Sequence, residues 1–327
     1  MQALITGGTG FLGANLADGL LQRGWSVRIL RRSTSPLDAV KDLDVEHALG
    51  DVLDFESLLP AMRGVEIVFN VAAISSYWRN QADQIYKVNV EGARNVFEAA
   101  ARSGVRRVVQ TSSAAAVGIV KNRLATEADQ FNWPPKRWAY GHSKWLAEQV
   151  VIERVAAGQD ITMVNPTGII GPRDVNWIVG SVLREAVRGH IPVMPQGGVN
   201  FVAAQDVVAG HIAAAEKGRS GERYILGGEN LTNRQTIELA CEVVGVKPPR
   251  FTQPKWTIPI AAAALDRAAA LIGPRLPISG DQMRLTNEVV WFDSSKAQRE
   301  LGLPVPCTPV RVALQECYDW YRANGYL

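Results

Sequence analysis

The sequence predicts an α/β fold in which a doubly wound parallel sheet is followed by a smaller, mostly C-terminal α/β unit. Three observations lead there. Short β-branched runs alternate with amphipathic stretches through the first half, the runs VEIVFNVAA and VRRVVQTSS are apolar on both faces, and a glycine cluster separates the first run from the first amphipathic stretch. Strands joined by helical crossovers make a parallel sheet covered on both sides, and strands buried on both faces lose the alternation of a half-exposed sheet.

Strands are expected at Ala3–Thr6, Ser26–Leu30, Val45–Leu49, Ile67–Asn70, Arg107–Thr111 and Ile161–Asn165, with helices over Gly10–Arg23, Ser57–Met62, Ile85–Ser103 and Tyr140–Ala157 between them. After Pro166 the texture changes, and Pro195, Gly197-Gly198 and Gly227-Gly228 punctuate the chain. Helices are expected there over Ile178–Gly189, Ala204–Lys217, Asn233–Val244, Ile260–Leu271, Ser294–Leu301 and Thr308–Ala323. Residues 1–165 therefore read as the sheet unit and 166–327 as mainly a substrate-binding unit, some of whose segments return to the large sheet.

The 327 residues exceed what one small core needs, and 47 % hydrophobic with 20 % charged residues is ordinary for a soluble globular protein. A formal net charge of +3, with no block of lysine or arginine, predicts neither nucleic acid nor a membrane as partner. Cys241, Cys307 and Cys317 follow no metal-ligand spacing, so reduced thiols, no metal and a cytoplasmic setting are expected. Met1–Thr6 runs directly into the first strand without the pattern of a secretion signal. The apolar stretch Ile258 to Ile272 is interrupted by Pro259, Asp266 and Arg267 and is too short to span a bilayer.

The glycine cluster is Thr6-Gly7-Gly8-Thr9-Gly10-Phe11-Leu12-Gly13. Between a strand and a helix, such a turn brings backbone without Cβ against a pyrophosphate and aims a helix N-terminus at the anion. Gly7, Thr9, Gly10, Phe11, Leu12 and Gly13 are thus candidates to bind a dinucleotide on a Rossmann sheet. The second strand ends in Arg31-Arg32-Ser33, with no acid until Asp38. An acid there would bond a ribose 2′-hydroxyl, whereas guanidiniums suit a 2′-phosphate, so the expected cofactor is NADP (NADPH), with Arg32 the main clamp and Arg31 or Ser33 assisting. Asp51 and Val52, after the third strand, are placed to meet the adenine, although an Asp at a strand end also serves as a helix cap.

Tyr140-Gly141-His142-Ser143-Lys144 opens a helix, and the spacing of four sets Tyr140 and Lys144 on one face, one turn apart. An ammonium there is expected to favour phenolate and lower the Tyr140 pKa, giving an acid/base usable near neutral pH. The strand Arg107–Thr111 ends next to Ser112-Ser113, whose hydroxyls can hold a carbonyl beside the tyrosine. His142 is expected to point away and be structural.

TGGTGFLG, NVAA (Asn70–Ala73), NVEGARN (Asn89–Asn95), TSSAAAVG and YGHSK, followed by VNPTGIIGPRD, DVVAGHIAAAEKG and WFDSSKAQRELG, together resemble the extended short-chain dehydrogenase/reductase superfamily over almost the whole chain. The nearest branch looks like the dihydroflavonol-reductase-like group, which includes hopanoid-associated sugar epimerases. The resemblance implies Tyr140 as catalytic acid/base, Lys144 as its partner and a holder of the nicotinamide ribose, and Ser113 rather than Ser112 as the residue that positions the carbonyl. It further implies Val71, Ala72, Ala73, Thr111, Pro166 and Thr167 around the cofactor, Asn89 as a support, and a homodimer packed through Val88–Ala101 and Ala147–Ala157.

Within that superfamily the neighbours of the catalytic hydroxyl are here Ala114, Ala115 and Ala116, which cannot supply the acid pair of a dehydratase. Gly197-Gly198-Val199-Asn200 stands where nucleotide-sugar epimerases carry an arginine, though Arg184, Arg188 or Arg284 could replace it. Ser75, Tyr77, Trp78 and Trp177 are expected to form the substrate wall, with Trp138 in either wall or core. Aromatic side chains suit a planar or apolar carbonyl compound better than a sugar diphosphate. The activity these residues predict is an NADPH-dependent ketone or aldehyde reductase, reversible as an alcohol dehydrogenase. The alternative is a sugar or nucleotide-sugar epimerase with tightly bound NAD(P).

Overall fold

The computed structural model describes residues 1–191, 193–272, 276 and 278–327. Its first half runs β1 (Gln2–Thr6), α1 (Phe11–Gln22), β2 (Ser26–Arg31), β3 (Glu46–Leu49), α2 (Phe55–Ala61), β4 (Ile67–Asn70), α3 (Ala82–Tyr86), α4 (Gly92–Arg102), β5 (Arg107–Thr111), α5 (Ala139–Ala156) and β6 (Ile161–Pro166). Then follow β7 (Gly168–Ile170), α6 (Ser181–Arg188), β8 (Gly198–Ala203), α7 (Ala204–Lys217), β9 (Arg223–Leu226), β10 (Glu229–Thr232) and α8 (Asn233–Val244). The last elements are α9 (Thr257–Ile272), α10 (Gly280–Thr286), β11 (Val289–Val290), α11 (Ser295–Leu301) and α12 (Val310–Ala323).

The large sheet has the order β3-β2-β1-β4-β5-β6-β9, all neighbours parallel, as expected of a doubly wound fold. Alternation fills both faces. Ala3, Ile5, Ile67 and Phe69 enter a core with Leu16, Leu20 and Val207 of α1 and α7. Leu4 and Val68, the intervening residues, enter the opposite core with Leu58, Phe97 and Val151 of α2, α4 and α5. Val96, Phe97, Ala99 and Ala100 of α4 and Ala147, Val150 and Val151 of α5 are buried in this second core, and Arg94–Glu153 and Arg154–Glu98 ion pairs lie between the two helices.

β9 joins the large sheet beside β6 although 56 residues, 167–222, lie between the two strands. The smaller sheet is built around β8, which pairs antiparallel with β10 and parallel with β7 and β11. The helix expected over Ile85–Ser103 is interrupted by a π segment, Lys87–Glu91, between α3 and α4. This extra residue in the turn sets Asn89 into the interior, where it is 3 % exposed.

Replacing Phe69, which is fully buried between sheet and helices, by Ala is expected to cost about 3–5 kcal/mol of stability. Urea unfolding of the two proteins, read as a fall in midpoint at unchanged slope, checks this.

Candidate active site

The C-terminal ends of β1, β2, β4, β5 and β6 open on one cleft of about 790 Å³. At one end lies the glycine turn. Gly7 has φ +67°, and a Cβ on it would sit 2.8 Å from the Ala72 Cα. A Cβ on Gly13 would strike the Gly7 carbonyl. The Gly10 amide donates to the Gly7 carbonyl at 3.0 Å, and α1 begins at Phe11 without a side-chain cap. The helix N-terminus therefore faces the cleft beside a backbone bare of side chains, which fits a pyrophosphate. Thr9, Phe11, Leu12, Val71, Ala72 and Ala73 line this end.

Arg31 and Arg32 line the same end. The Arg31 Nε donates to His47 Nδ1 at 3.0 Å, whereas the Arg32 guanidinium has no hydrogen-bond or ion-pair partner among the described residues. Ser33 lies in the turn outside the cleft; Ser35 takes the lining position, its hydroxyl accepting from the Arg32 amide at 3.1 Å. Asp51 does not cap α2, whose N-cap is Asp54; it accepts from the Leu53 amide at 2.9 Å on the cleft wall, next to Val52.

Ser113, Tyr140 and Lys144 are brought together at the middle of the cleft, with Thr111, Pro166 and Thr167 beside them. Ser112 is turned inward and donates to Glu148 Oε1 at 2.5 Å, leaving Ser113 as the hydroxyl on the wall. Lys144 is 3 % exposed and donates from Nζ to the Thr111 carbonyl at 2.9 Å. Burial pulls its ammonium down to about 8, while the Glu148 carboxylate one turn further along α5 opposes that fall. Burial raises the Tyr140 phenol above its ordinary value, against hydrogen bonds from the Ser113 and Ser75 hydroxyls. The expected lowering by Lys144 does not dominate, because Nζ stands 6.0 Å from the centre of the Tyr140 ring and its hydrogen bond goes to Thr111. Tyr140 is thus a protonated donor at neutral pH.

Two buried networks hold these groups. In one, Thr6 Oγ1 donates to Asn70 Oδ1 at 2.6 Å, Asn70 Nδ2 to Gln110 Oε1 at 2.7 Å, and Gln110 Nε2 to the Thr111 carbonyl at 3.1 Å. His211 adds to it: burial pushes it down to about 4, Nδ1 donates to the Val207 carbonyl, and Nε2 accepts from Thr111 Oγ1 at 2.9 Å. In the other, Glu148 accepts from Asn165 Nδ2 at 2.6 Å and Arg223 Nη1 at 2.7 Å, and Asn165 also donates to the Ser113 carbonyl at 2.9 Å. Asn89 lies outside the wall but ties Ile74 to α5, donating to the Ile74 carbonyl at 3.1 Å and to Ser143 Oγ at 2.9 Å. His142 bonds Tyr86 at 3.0 Å and stacks on Trp145, away from Tyr140.

The substrate end differs in part from expectation. Ser75 and Tyr77 line it, while Ser76 and Trp78 do not, because the extended chain alternates before turning into the short helix Arg79–Gln81. Trp177 stacks on Tyr321 with centroids 4.1 Å apart and lies under Arg184. The Asp174 carboxylate collects the amides of Ile178, Val179 and Gly180, and this turn sends Asn176, Ile178 and Val179 to the cleft and Trp177 to the C-terminal core. Trp138 serves both places, being 6 % exposed and on the wall. Gln282, Leu285 and Thr286 of α10, with Val290 and Phe292, complete the wall. The one available sign of α10 was the pattern Ser279-x-x-Gln282, in which the Ser279 hydroxyl accepts from the Gln282 amide at 3.1 Å.

Charged residues on the described wall are Arg31, Arg32, Asp51 and Lys144. Arg284 is held by Asp266 and Asp281, Arg184 by Glu185, and Arg188 lies beside Glu185; none reaches the cleft.

Comparison with known proteins follows the same lines. Residues 3–227 match the model of the "NAD dependent epimerase/dehydratase family". The chain is 34 % identical to a "Putative dihydroflavonol 4-reductase" of Synechocystis sp., over 99 % of this chain and 95 % of that protein. It is 36 % identical to "Sterol demethylase protein B" of Methylococcus capsulatus over the full length of both. The crystal structure of gox2253 superposes with a TM-score of 0.87 at 33 % identity, covering 99 % of each chain. The chain belongs to the NAD-dependent epimerase/dehydratase family, the extended short-chain dehydrogenase/reductases, and is an NAD(P)-dependent oxidoreductase.

A lowered lysine pKa means that the charge is lost earlier as pH rises. Turnover is therefore expected to fall as pH rises through about 8, and the Lys144→Met protein is expected to lack that limb of the pH profile.

Proposed function

We propose that the protein is an NADPH-dependent reductase of an apolar ketone or aldehyde, reversible as an alcohol dehydrogenase. The observation that carries this reading is the substrate end of the cleft, where Ser113, Tyr140 and Lys144 face apolar and aromatic residues and, among the described residues, Lys144 is the one cation within reach of a diphosphate. Relatives named as a dihydroflavonol reductase and a sterol demethylase protein, both named for ring compounds without a phosphate, favour it. Ala114 and Ala115 on the wall offer no acid for dehydration.

The glycine turn and the open start of α1 fit a dinucleotide pyrophosphate, and the unpaired Arg32 fits a 2′-phosphate. The bound nicotinamide supplies the hydride. Ser113 and Tyr140 hold the substrate oxygen by hydrogen bonds, which draws electron density from the carbonyl carbon. Tyr140 transfers its phenolic proton to that oxygen as the alcohol forms, and the Lys144 ammonium stabilises the phenolate left behind. Thr111, fixed by Gln110 and His211, keeps Lys144 within reach. Tyr77, pushed up to about 12 by burial and by its neighbour Tyr140, stays a neutral phenol on the cleft wall.

Oxidation of NADPH and NADH, followed by absorbance over a panel of aromatic and alicyclic ketones and aldehydes, tests the reading. Turnover with NADPH is expected, falling about 10²–10⁴-fold in Tyr140→Phe. Silence across the panel together with cofactor that survives purification favours the epimerase instead. Replacing Arg32 by Ser is expected to lower kcat/KM for NADPH about 10- to 100-fold, as a charge-assisted hydrogen bond of ~1.5–3 kcal/mol implies, with NADH little affected.

A further inference from the structure

The solvent face of α9 is apolar. Trp256, just before the helix, Ile260, Ala264, Arg267 and Leu271 follow one another at helical spacing, and all are exposed. Trp256 is 71 %, Ile260 64 % and Leu271 86 % exposed, and Phe251, at the entry to the segment, is 75 % exposed. The opposite side holds the helix to the protein: Ala262 is buried, and Asp266 accepts from Arg284 at 2.8 Å. A surface helix ordinarily turns its polar residues outward. Here four of the five outward positions are apolar.

The surroundings are cationic. Between Gly245 and Ile272 stand Lys247, Arg250, Lys255 and Arg267, against the single acid Asp266. All four cations are exposed, and none makes an ion pair among the described residues, whereas Asp266 is engaged by Arg284. At 16 residues α9 is too short to cross a bilayer, and no described helix is long and apolar enough to do so. Exposed Trp, Phe and Leu beside unpaired Lys and Arg form the pattern of a helix that lies in the plane of an anionic lipid surface. A second copy docking by two-fold symmetry would set this cationic patch against itself.

We propose that Phe251, Trp256, Ile260 and Leu271, flanked by Lys247, Arg250, Lys255 and Arg267, dock the protein on the surface of an anionic membrane. The sequence expectation of no membrane partner rested on the net charge of +3, which averages over the whole chain, whereas Lys247, Arg250, Lys255 and Arg267 stand together around this helix. The docked helix sits one layer from the cleft, because α9 packs on α10, and α10 supplies Gln282, Leu285 and Thr286 to the wall.

Co-sedimentation of the full chain with vesicles of phosphatidylglycerol and phosphatidylcholine in equal parts tests the proposal. Binding is expected, weaker on pure phosphatidylcholine and weaker with added salt. The triple replacement Trp256→Ser, Ile260→Ser and Leu271→Ser keeps every charge, and is expected to lower partitioning about tenfold or more. An unchanged melting curve shows that the variant folds. Absence of binding to the anionic vesicles overturns the proposal. So does binding that the triple variant retains in full, which is adsorption of a basic protein. Sedimentation equilibrium showing a dimer that this variant dissolves, without vesicle binding, assigns the face to a second copy and overturns it equally.

Discussion

The hydrogen bond from the Lys144 ammonium to the Thr111 carbonyl is the interaction around which this structure is arranged. A lysine 3 % exposed is costly to keep charged, and its depressed pKa of about 8 expresses that cost. The carbonyl meets the ammonium at the end of a central strand, where the backbone oxygen leaves the sheet ladder and faces the cleft. The carboxylate of Glu148, on the same helix, counters the charge from the interior side without touching the lysine. The position of the ammonium is thus set by a strand end and its charge by a helix neighbour, so neither the sheet nor α5 can move independently of the site.

The same logic explains the buried polar side chains behind it. Thr6, Asn70 and Gln110 stand at the ends of adjacent strands β1, β4 and β5, and each passes one hydrogen bond sideways to the next until the last reaches the Thr111 carbonyl. Such side chains are tolerated inside only when every member has a partner. They link the glycine turn, where the nucleotide end of the cleft begins, to the lysine at its centre. The Glu148–Arg223 pair does the corresponding work for Ser113 through Asn165. A buried ion pair of this kind adds little net stability but is costly to break, and it fixes one arrangement of the strand ends.

What the sequence made legible was whatever depends on short spacing. Gly7, Gly10 and Gly13 lie within one turn, Tyr140 and Lys144 one turn apart, and Ser113 directly after a strand, so local geometry alone brings each group to the cleft. The cleft wall was less legible because its residues meet only through packing of distant segments. Gln282, Leu285 and Phe292 arrive from the last fifth of the chain, and only the Ser279-x-x-Gln282 pattern hinted at the helix that carries two of them. Trp177 shows the opposite error. Its hydrophobicity was read correctly, but the direction of the side chain was set by the Asp174 carboxylate gathering three amides, an arrangement that composition does not encode. Ser33 and Trp78 missed the wall for the same reason, each lying one residue out of phase with the turn that displays its neighbour.

The pairing of β9 with β6 has a consequence for how the enzyme is made. During synthesis the ribosome releases β1 to β6 and the whole Ser113–Tyr140–Lys144 constellation well before Arg223 emerges. Until then Glu148 has the Ser112 and Asn165 donors but no guanidinium opposite it, and a carboxylate is costly to seal into the interior without a counter-charge. The nascent half-protein therefore holds Glu148 through Ser112 and Asn165 alone, and the Asn165 support of the Ser113 carbonyl rests on a carboxylate without its opposing charge. The last charge behind the reactive centre is consequently set late in translation, when the seventh strand closes the sheet.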